Sequence, residues 1–173
     1  MISKHYSPQQ KIKSFLYLFI LLEIVWLIFT SSFHCQEVIT GIFVSLIISL
    51  LSWKQYLKLD LPALSFKKIM FIILYILVLF KEIIKANFDV AYRIIHPKMP
   101  IKPGIVVIKT KLKQDIAKTI LANSITLTPG TFTLDILGDI LLIHWINVKT
   151  EDTNKATEII GKKFEKYLRI IFE

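Results

Sequence analysis

Cysteine is almost absent from this chain: there is one, Cys35. That excludes an intramolecular disulfide and any multi-cysteine metal site, and with them iron–sulfur or zinc chemistry carried by this chain alone. Glycine is scarce as well, and no glycine-rich phosphate loop can be found. Neither a nucleophile–base pair nor a metal triad stands out, so the expectation is no cofactor and no enzyme activity. Acidic residues are outnumbered, 13 against 22 Lys and Arg, for a net charge of +9. A basic chain often meets nucleic acid. Here the basic residues are scattered among apolar runs, without an aromatic-plus-basic RNA motif or zinc-finger spacing, so no nucleic-acid partner is expected. The charge instead matches the anionic inner leaflet of a membrane, which makes membrane lipids an expected partner.

What the chain does have is apolar length. Hydrophobic residues make up 54% of it, and the mean hydropathy is +0.57, too apolar for a soluble domain of this size. Two runs stand out, Ser14 to Thr30 and Val38 to Trp53. As helices they reach ~24–29 Å, close to the ~30 Å hydrocarbon core. Backbone groups in lipid must be satisfied within the segment, so each arm is predicted to be a helix. The first run is long for a signal peptide, and Ser31-Ser32-Phe33-His34 is a poor cleavage site, so it is read as a retained helix. Lys4, Lys11 and Lys13 precede the hairpin, Ser31 to Glu37 has no Lys or Arg, and Lys54, Lys58, Lys67 and Lys68 follow it. The positive-inside rule then places both hairpin ends in the cytoplasm.

Three features inside the hairpin invite a closer reading. Glu23 sits near the middle of the first arm, where a carboxylate costs on the order of 2.5–3.5 kcal/mol. It is either a hydrogen-bonded packing carboxyl, part of an ion or proton path, or a group snorkelling from a tilted helix. In the second arm Gly41, Ser45 and Ser49 recur at a spacing of four, a small-residue face that lets another helix approach. Trp26 and Trp53 read as packing or interface anchors.

The expected organisation is a cytoplasmic N-terminus (1–13), the transmembrane hairpin (14–53) and a basic cytoplasmic connector (54–68). An amphipathic or obliquely membrane-associated helix (69–95), a Pro-rich linker (96–104) and a small α+β domain (105–173) follow. Within 69–95, Ile69 to Phe80 is apolar but as a helix reaches only ~18 Å, too short to span. Beyond it Phe80, Ile83, Ile84, Phe88, Ala91 and Ile95 alternate with a charged side at helical spacing. An interfacial helix keeps the following domain cytoplasmic, whereas a third span carries it across; the residues leave both open. The fold class expected of the whole is membrane α plus a small α+β domain.

The terminal domain is predicted as βαββα and cytoplasmic. Its elements are a strand at Ile105–Lys109, a helix at Asp115–Ser124 burying Ile116, Ile120 and Leu121, and a strand at Thr131–Leu137. In that strand Phe132, Leu134 and Ile136 face one way. A loop at Gly138-Asp139 leads to a return strand, Ile140–Ile146. The last helix buries Ala156, Ile159, Ile160, Phe164, Tyr167 and Leu168.

Between the first helix and the second strand lies Ile125-Thr126-Leu127-Thr128-Pro129-Gly130-Thr131. Pro129 presets φ and Gly130 supplies positive φ, as a type II turn requires, and the threonine hydroxyls suit local backbone bonds. With the preceding Leu121-Ala122-Asn123-Ser124, this stretch resembles the signature of the E subunits of the Mrp-type multisubunit sodium/proton antiporters. The hairpin, the amphipathic third stretch, the linker and the Ile143–Val148 strand are similar too, so the resemblance covers most of the chain. Homologous subunits also occur in antiporter-like modules of membrane-bound hydrogenase-type complexes. The resemblance implies an accessory subunit of a cation (Na+)/proton antiporter in the cell membrane. Its partners are the other subunits, and Na+ and H+ concern it only through the complex. It assigns no ion site to Glu23. A stand-alone membrane-anchored cytosolic binding domain is the remaining alternative.

Overall fold

A computed structural model describes residues 7–58 and 65–173. Lys4, in the expected cytoplasmic N-terminus, and 59–64 of the expected connector lie outside the described residues. The chain forms two compact units that divide between Leu61 and Pro62.

The first unit is a pair of helices, α1 (Pro8–Thr30) and α2 (Cys35–Lys58). α1 begins at Pro8 rather than Ser14 because its start is capped there. Ser7 accepts from the Gln10 N–H at 3.3 Å, and the Gln10 side chain accepts from the Ser7 N–H at 2.9 Å. This reciprocal box, with proline at the first helical position, satisfies donors that would otherwise be orphaned. α1 ends at Ser31, whose left-handed φ of 49° lets its N–H reach the Leu27 carbonyl at 3.0 Å. Among the described residues two helices are long and apolar enough to cross a membrane, Pro8–Thr30 and Cys35–Leu57.

The second unit opens with α3 (Phe66–Ile95), a single helix of 30 residues. It absorbs both the apolar stretch and the amphipathic stretch of the sequence. Ser65 caps it by accepting from the Lys68 N–H at 3.3 Å. The α+β elements follow as β1 (Gly104–Lys109), α4 (Asp115–Leu127), β2 (Thr131–Leu137), β3 (Ile140–Trp145), α5 (Thr153–Ile160) and α6 (Lys162–Phe172). The strands form an antiparallel sheet in the order β1-β3-β2. The β2–β3 loop is Gly138-Asp139, with Gly138 at φ 62° and Leu137 paired to Ile140.

One face of the sheet supplies Val106, Ile108, Leu141, Ile143 and Trp145 to the core. Helices supply Leu121, Ile125, Ile160, Phe164 and Leu168, and α3 contributes Tyr75. Four sequence expectations need correcting here. Phe132, Leu134 and Ile136 do not share a face, because a bulge between Thr133 and Asp135 inserts Leu134 as an unpaired residue. An extra residue shifts the two-residue period, so Phe132 and Leu134 are exposed while Ile136 packs on the core. In α4 the buried stripe is Ala117, Leu121, Ala122 and Ile125; Ile116 stands outside the core cluster. The expected last helix is two helices that meet at Gly161, which removes Ile159 from the stripe and brings in Ile171. Finally, α4 runs on through Leu127, so the first residues of the Ile125–Thr131 stretch form its last turn.

Candidate functional site

The described residues bring the singled-out positions together at two places. The first is the seam between α1 and α2. Gly41 and Ser45 lie there against α1 of the same hairpin, and Ser49, one turn further on, is fully buried. The close approach depends on Gly41: a Cβ at this position would meet Trp26 Cδ1 at 2.5 Å, Trp26 Nε1 at 2.9 Å and Glu23 Oε1 at 3.0 Å. The Trp26 indole N–H donates to the Glu37 carbonyl at 3.0 Å. The Ser45 hydroxyl donates to Glu23 Oε2 at 3.2 Å. Glu23 Oε1 and Ser49 Oγ are both buried without a hydrogen-bond partner in the hairpin. A polar string thus runs inside an otherwise apolar pair of helices.

The second place is the end of α4, where the last carbonyls of a helix lack intrahelical partners. Threonine hydroxyls take them. Thr128 Oγ1 donates to the Ser124 carbonyl at 2.8 Å. Thr131 Oγ1 lies 2.7 Å from the Ile125 carbonyl and 2.8 Å from that of Thr128. From β2, Thr133 Oγ1 donates to the Ala122 carbonyl at 3.0 Å, and the Thr133 N–H donates back to Thr126 Oγ1 at 3.1 Å. The turn between them has Gly130 at φ 91°, with the Thr131 N–H on the Thr128 carbonyl at 3.2 Å. The Gly130 carbonyl then accepts from the Ile146 N–H at 2.8 Å, fixing the turn to the end of β3. Pro129 sits beside this, on the wall of a groove that opens along α3. Leu127 is exposed.

α3 is held to the same unit along its length. The Tyr75 hydroxyl bonds Ser124 Oγ, and its ring meets Phe164 edge-on at 6.5 Å. Burial pushes the Tyr75 phenol above its usual range, and the Ser124 bond partly offsets this. Lys163 Nζ pairs with Glu82 at 2.5 Å. Further on, Arg93 pairs with Asp89 at 2.9 Å and donates to the Pro100 carbonyl at 2.7 Å. The Arg93 hydrogen bond holds the Asp89 carboxyl below the usual carboxylate range.

Two features escaped the sequence reading. Lys118 is buried in α4, with Nζ 2.7 Å from Asp139 Oδ1 and 2.8 Å from the Gly138 carbonyl. Its signal was its spacing with Leu121, Ala122 and Ile125, which puts it on the core face. The groove between α3 and the β3–α5 region had no contiguous signature at all. Among the described residues, no cluster of three or more His, Cys, Asp or Glu is gathered as a metal site would need.

A membrane-length helical hairpin carrying a small α+β unit, with its signature threonines engaged on backbone, defines a membrane-anchored protein of mixed α+β type. The family of Na+/H+ ion antiporter subunits described as MNHE matches residues 19–171. The chain is 35% identical over 149 residues to the Na+/H+ antiporter E subunit of Alkalihalophilus pseudofirmus, covering 85% of this chain and 90% of that one. It is 34% identical over 152 residues to the E subunit of Bacillus subtilis, covering 87% and 92%. Among solved structures, a chain of the membrane-bound sulfane sulfur reductase, an archaeal respiratory membrane complex, superposes with a TM-score of 0.84 at 48% identity. That match covers 92% of this chain and 99% of the other. The chain belongs to the family of Na+/H+ antiporter E subunits, as the Ile125–Thr131 signature led us to expect.

Proposed function

We propose that this chain is an accessory subunit of a multisubunit monovalent cation (Na+)/proton antiporter, needed for assembly or activity and carrying no ion by itself. The observation that supports this most is the family match over residues 19–171. The hairpin agrees with it. A carrier needs a polar route lined by several ionisable groups near mid-depth, and here one carboxylate, Glu23, bonds a neighbouring serine. In this reading the protein is not an enzyme, and its partners are the other subunits and the surrounding lipid. The C-terminal unit is a cytoplasmic βαββα domain whose last helix is broken at Gly161, and the hairpin is the part that crosses the membrane.

Two measurements test this. Purified protein in liposomes is expected to show no sodium-driven proton movement, while deleting it from its complex cuts antiport or cation tolerance sharply. Robust antiport by this chain alone would refute the accessory role. For topology, cysteines at Lys58 and Lys155 are expected to label only from the cytoplasm; external labelling at Lys155 with internal labelling at Lys58 means a third span.

A second reading has its own support. The 48% identity to a chain of an archaeal respiratory membrane complex favours the antiporter-like module of such a complex, of the membrane-bound hydrogenase type or a related one. Purification in mild detergent separates the two: co-purifying redox subunits favour the second, antiporter subunits alone the first.

A further inference from the structure

We propose that the second unit lies against an anionic lipid surface through α3 and that the groove beside α3 takes a phospholipid headgroup. This rests on the membrane placement given above and is independent of antiport.

α3 has two unlike sides. One is a wall of the folded α+β unit, from the ring contact of Phe71 with Tyr167 at 6.4 Å, through the Glu82–Lys163 ion pair, to the Arg93 bond to Pro100. α3 is not among the two described helices long and apolar enough to cross a membrane. The other side is an uncovered stripe of large apolar residues at helical spacing: Ile73, Leu77, Phe80, Ile84, Phe88 and Ile95. Phe80, Phe88 and Ile95 are 63%, 73% and 81% exposed. A contiguous patch of that extent marks an interaction surface.

Charge selects the occupant. At about 100° per residue, Lys67, Lys81 and Lys85 fall on one shoulder of the stripe, while Ile69, Ile76 and Ile94 flank the other. An apolar stripe with a basic border is the pattern of a helix lying in the headgroup region of an anionic bilayer. Of this shoulder, Lys85 also lines a cavity of about 230 Å3 between α3 and the body of the unit. Lys85, Lys149 and Lys163 line it together with Glu82 and Asp89. Glu82 is taken by Lys163 and Asp89 by Arg93, and neither Lys85 nor Lys149 makes an ion pair with another described residue. Asp89, already bonded to Arg93, is acted on by both Lys85 and Lys149, and the three lysines of the lining outnumber its two carboxylates beside a space too small for a whole lipid but sufficient for a phosphate headgroup.

The test uses the full chain in a Cys35→Ser background, in nanodiscs of phosphatidylcholine with or without phosphatidylglycerol. Nitroxides at Phe80→Cys and Phe88→Cys are expected to collide with oxygen more than with an aqueous nickel chelate in discs containing phosphatidylglycerol. A nitroxide at Asn154→Cys, an exposed position on α5, should do the reverse. Phosphatidylglycerol retained after delipidation, counted by native mass spectrometry, is expected to fall about tenfold or more in Lys85→Gln/Lys149→Gln, on the scale of two lysines near an anionic surface. Lys85→Arg/Lys149→Arg keeps the charge and should retain the lipid. Stripe labels that prefer the nickel chelate, or that are shielded from both reagents by protein, overturn the proposal. So does a double Gln variant that holds as much lipid as wild type. Inorganic phosphate that displaces the lipid and binds lipid-free protein through the same two lysines makes the groove a soluble-anion site and rejects the lipid.

Discussion

The hydroxyl of Tyr75 on α3 is bonded to Ser124 Oγ on α4, 49 residues away in the chain and buried at both ends. The two ends of this bond are not equivalent. Ser124 also donates to the Ile120 carbonyl at 2.7 Å, whereas no other partner of the tyrosine hydroxyl is found among the described residues. Tyr75→Phe should therefore cost about 1 kcal/mol, while Ser124→Ala strands a buried hydroxyl and should cost about 1–3 kcal/mol. Chemical denaturation of the full chain in detergent, followed by near-ultraviolet circular dichroism, checks the order. Equal or reversed costs would show that the bond does not hold α3.

Gly130→Val should prevent folding of the second unit or its assembly. At φ 91° a β-branched residue is strained by roughly 1–3 kcal/mol, and its Cβ would stand 2.9 Å from Ile146 Cγ2. Gly130→Ala carries the same backbone strain with less bulk and should lie between the two. A Val variant that melts and co-purifies like wild type rules out a structural demand for glycine at this turn.

Glu23→Gln keeps the shape of the carboxyl and an oxygen for the Ser45 hydroxyl, which now donates at 3.2 Å. Near-normal assembly and most of the antiport are expected in everted vesicles. Loss of transport from a fully assembled complex would move Glu23 into the ion pathway and out of the packing role.

Acid should selectively loosen the end of α3. The Asp89 carboxyl is held below its usual range, first by its hydrogen bond from Arg93. A depressed carboxylate adds stability above its unfolded value, about pH 3.9, and loses it as pH falls through the lower folded value. Asp89 is more than half exposed, so solvent screening keeps the contribution small. Asp89→Asn is expected to be slightly less stable than wild type at neutral pH, with the gap closing in acid. A gap that persists below the folded value would mean the asparagine costs stability for some other reason.

Much of this architecture was legible because its physics is periodic. Two apolar runs of bilayer length, alternating strands and a Gly-Asp loop are read from spacing alone. The capping box at Ser7 and Gln10 was also in the letters, but the apolar run beginning at Ser14 drew the boundary inward. The bulge at Leu134 was not legible: its cause is the partner strand, where Thr133 pairs with Ile143 and Asp135 with Leu142. The same holds for the seam at Gly41. Its spacing announced a small-residue face, yet only the folded hairpin shows Trp26 and Glu23 as the groups that need the space. Lys85 and Lys149 are far apart in sequence, and nothing local links them; their shared groove exists only once α3 lies on the sheet's helices.

The bulge in β2 bears on the life of the protein before it meets its partners. β2 is an outer strand of the sheet, and a protein made in excess of its complex exposes such a strand to its own copies. The extra residue at Leu134 bends the strand, and the Thr133 N–H is already committed to Thr126. A kinked strand with an occupied donor is a poor template for adding another. The unassembled chain thereby has a built-in guard against fibre-like self-association.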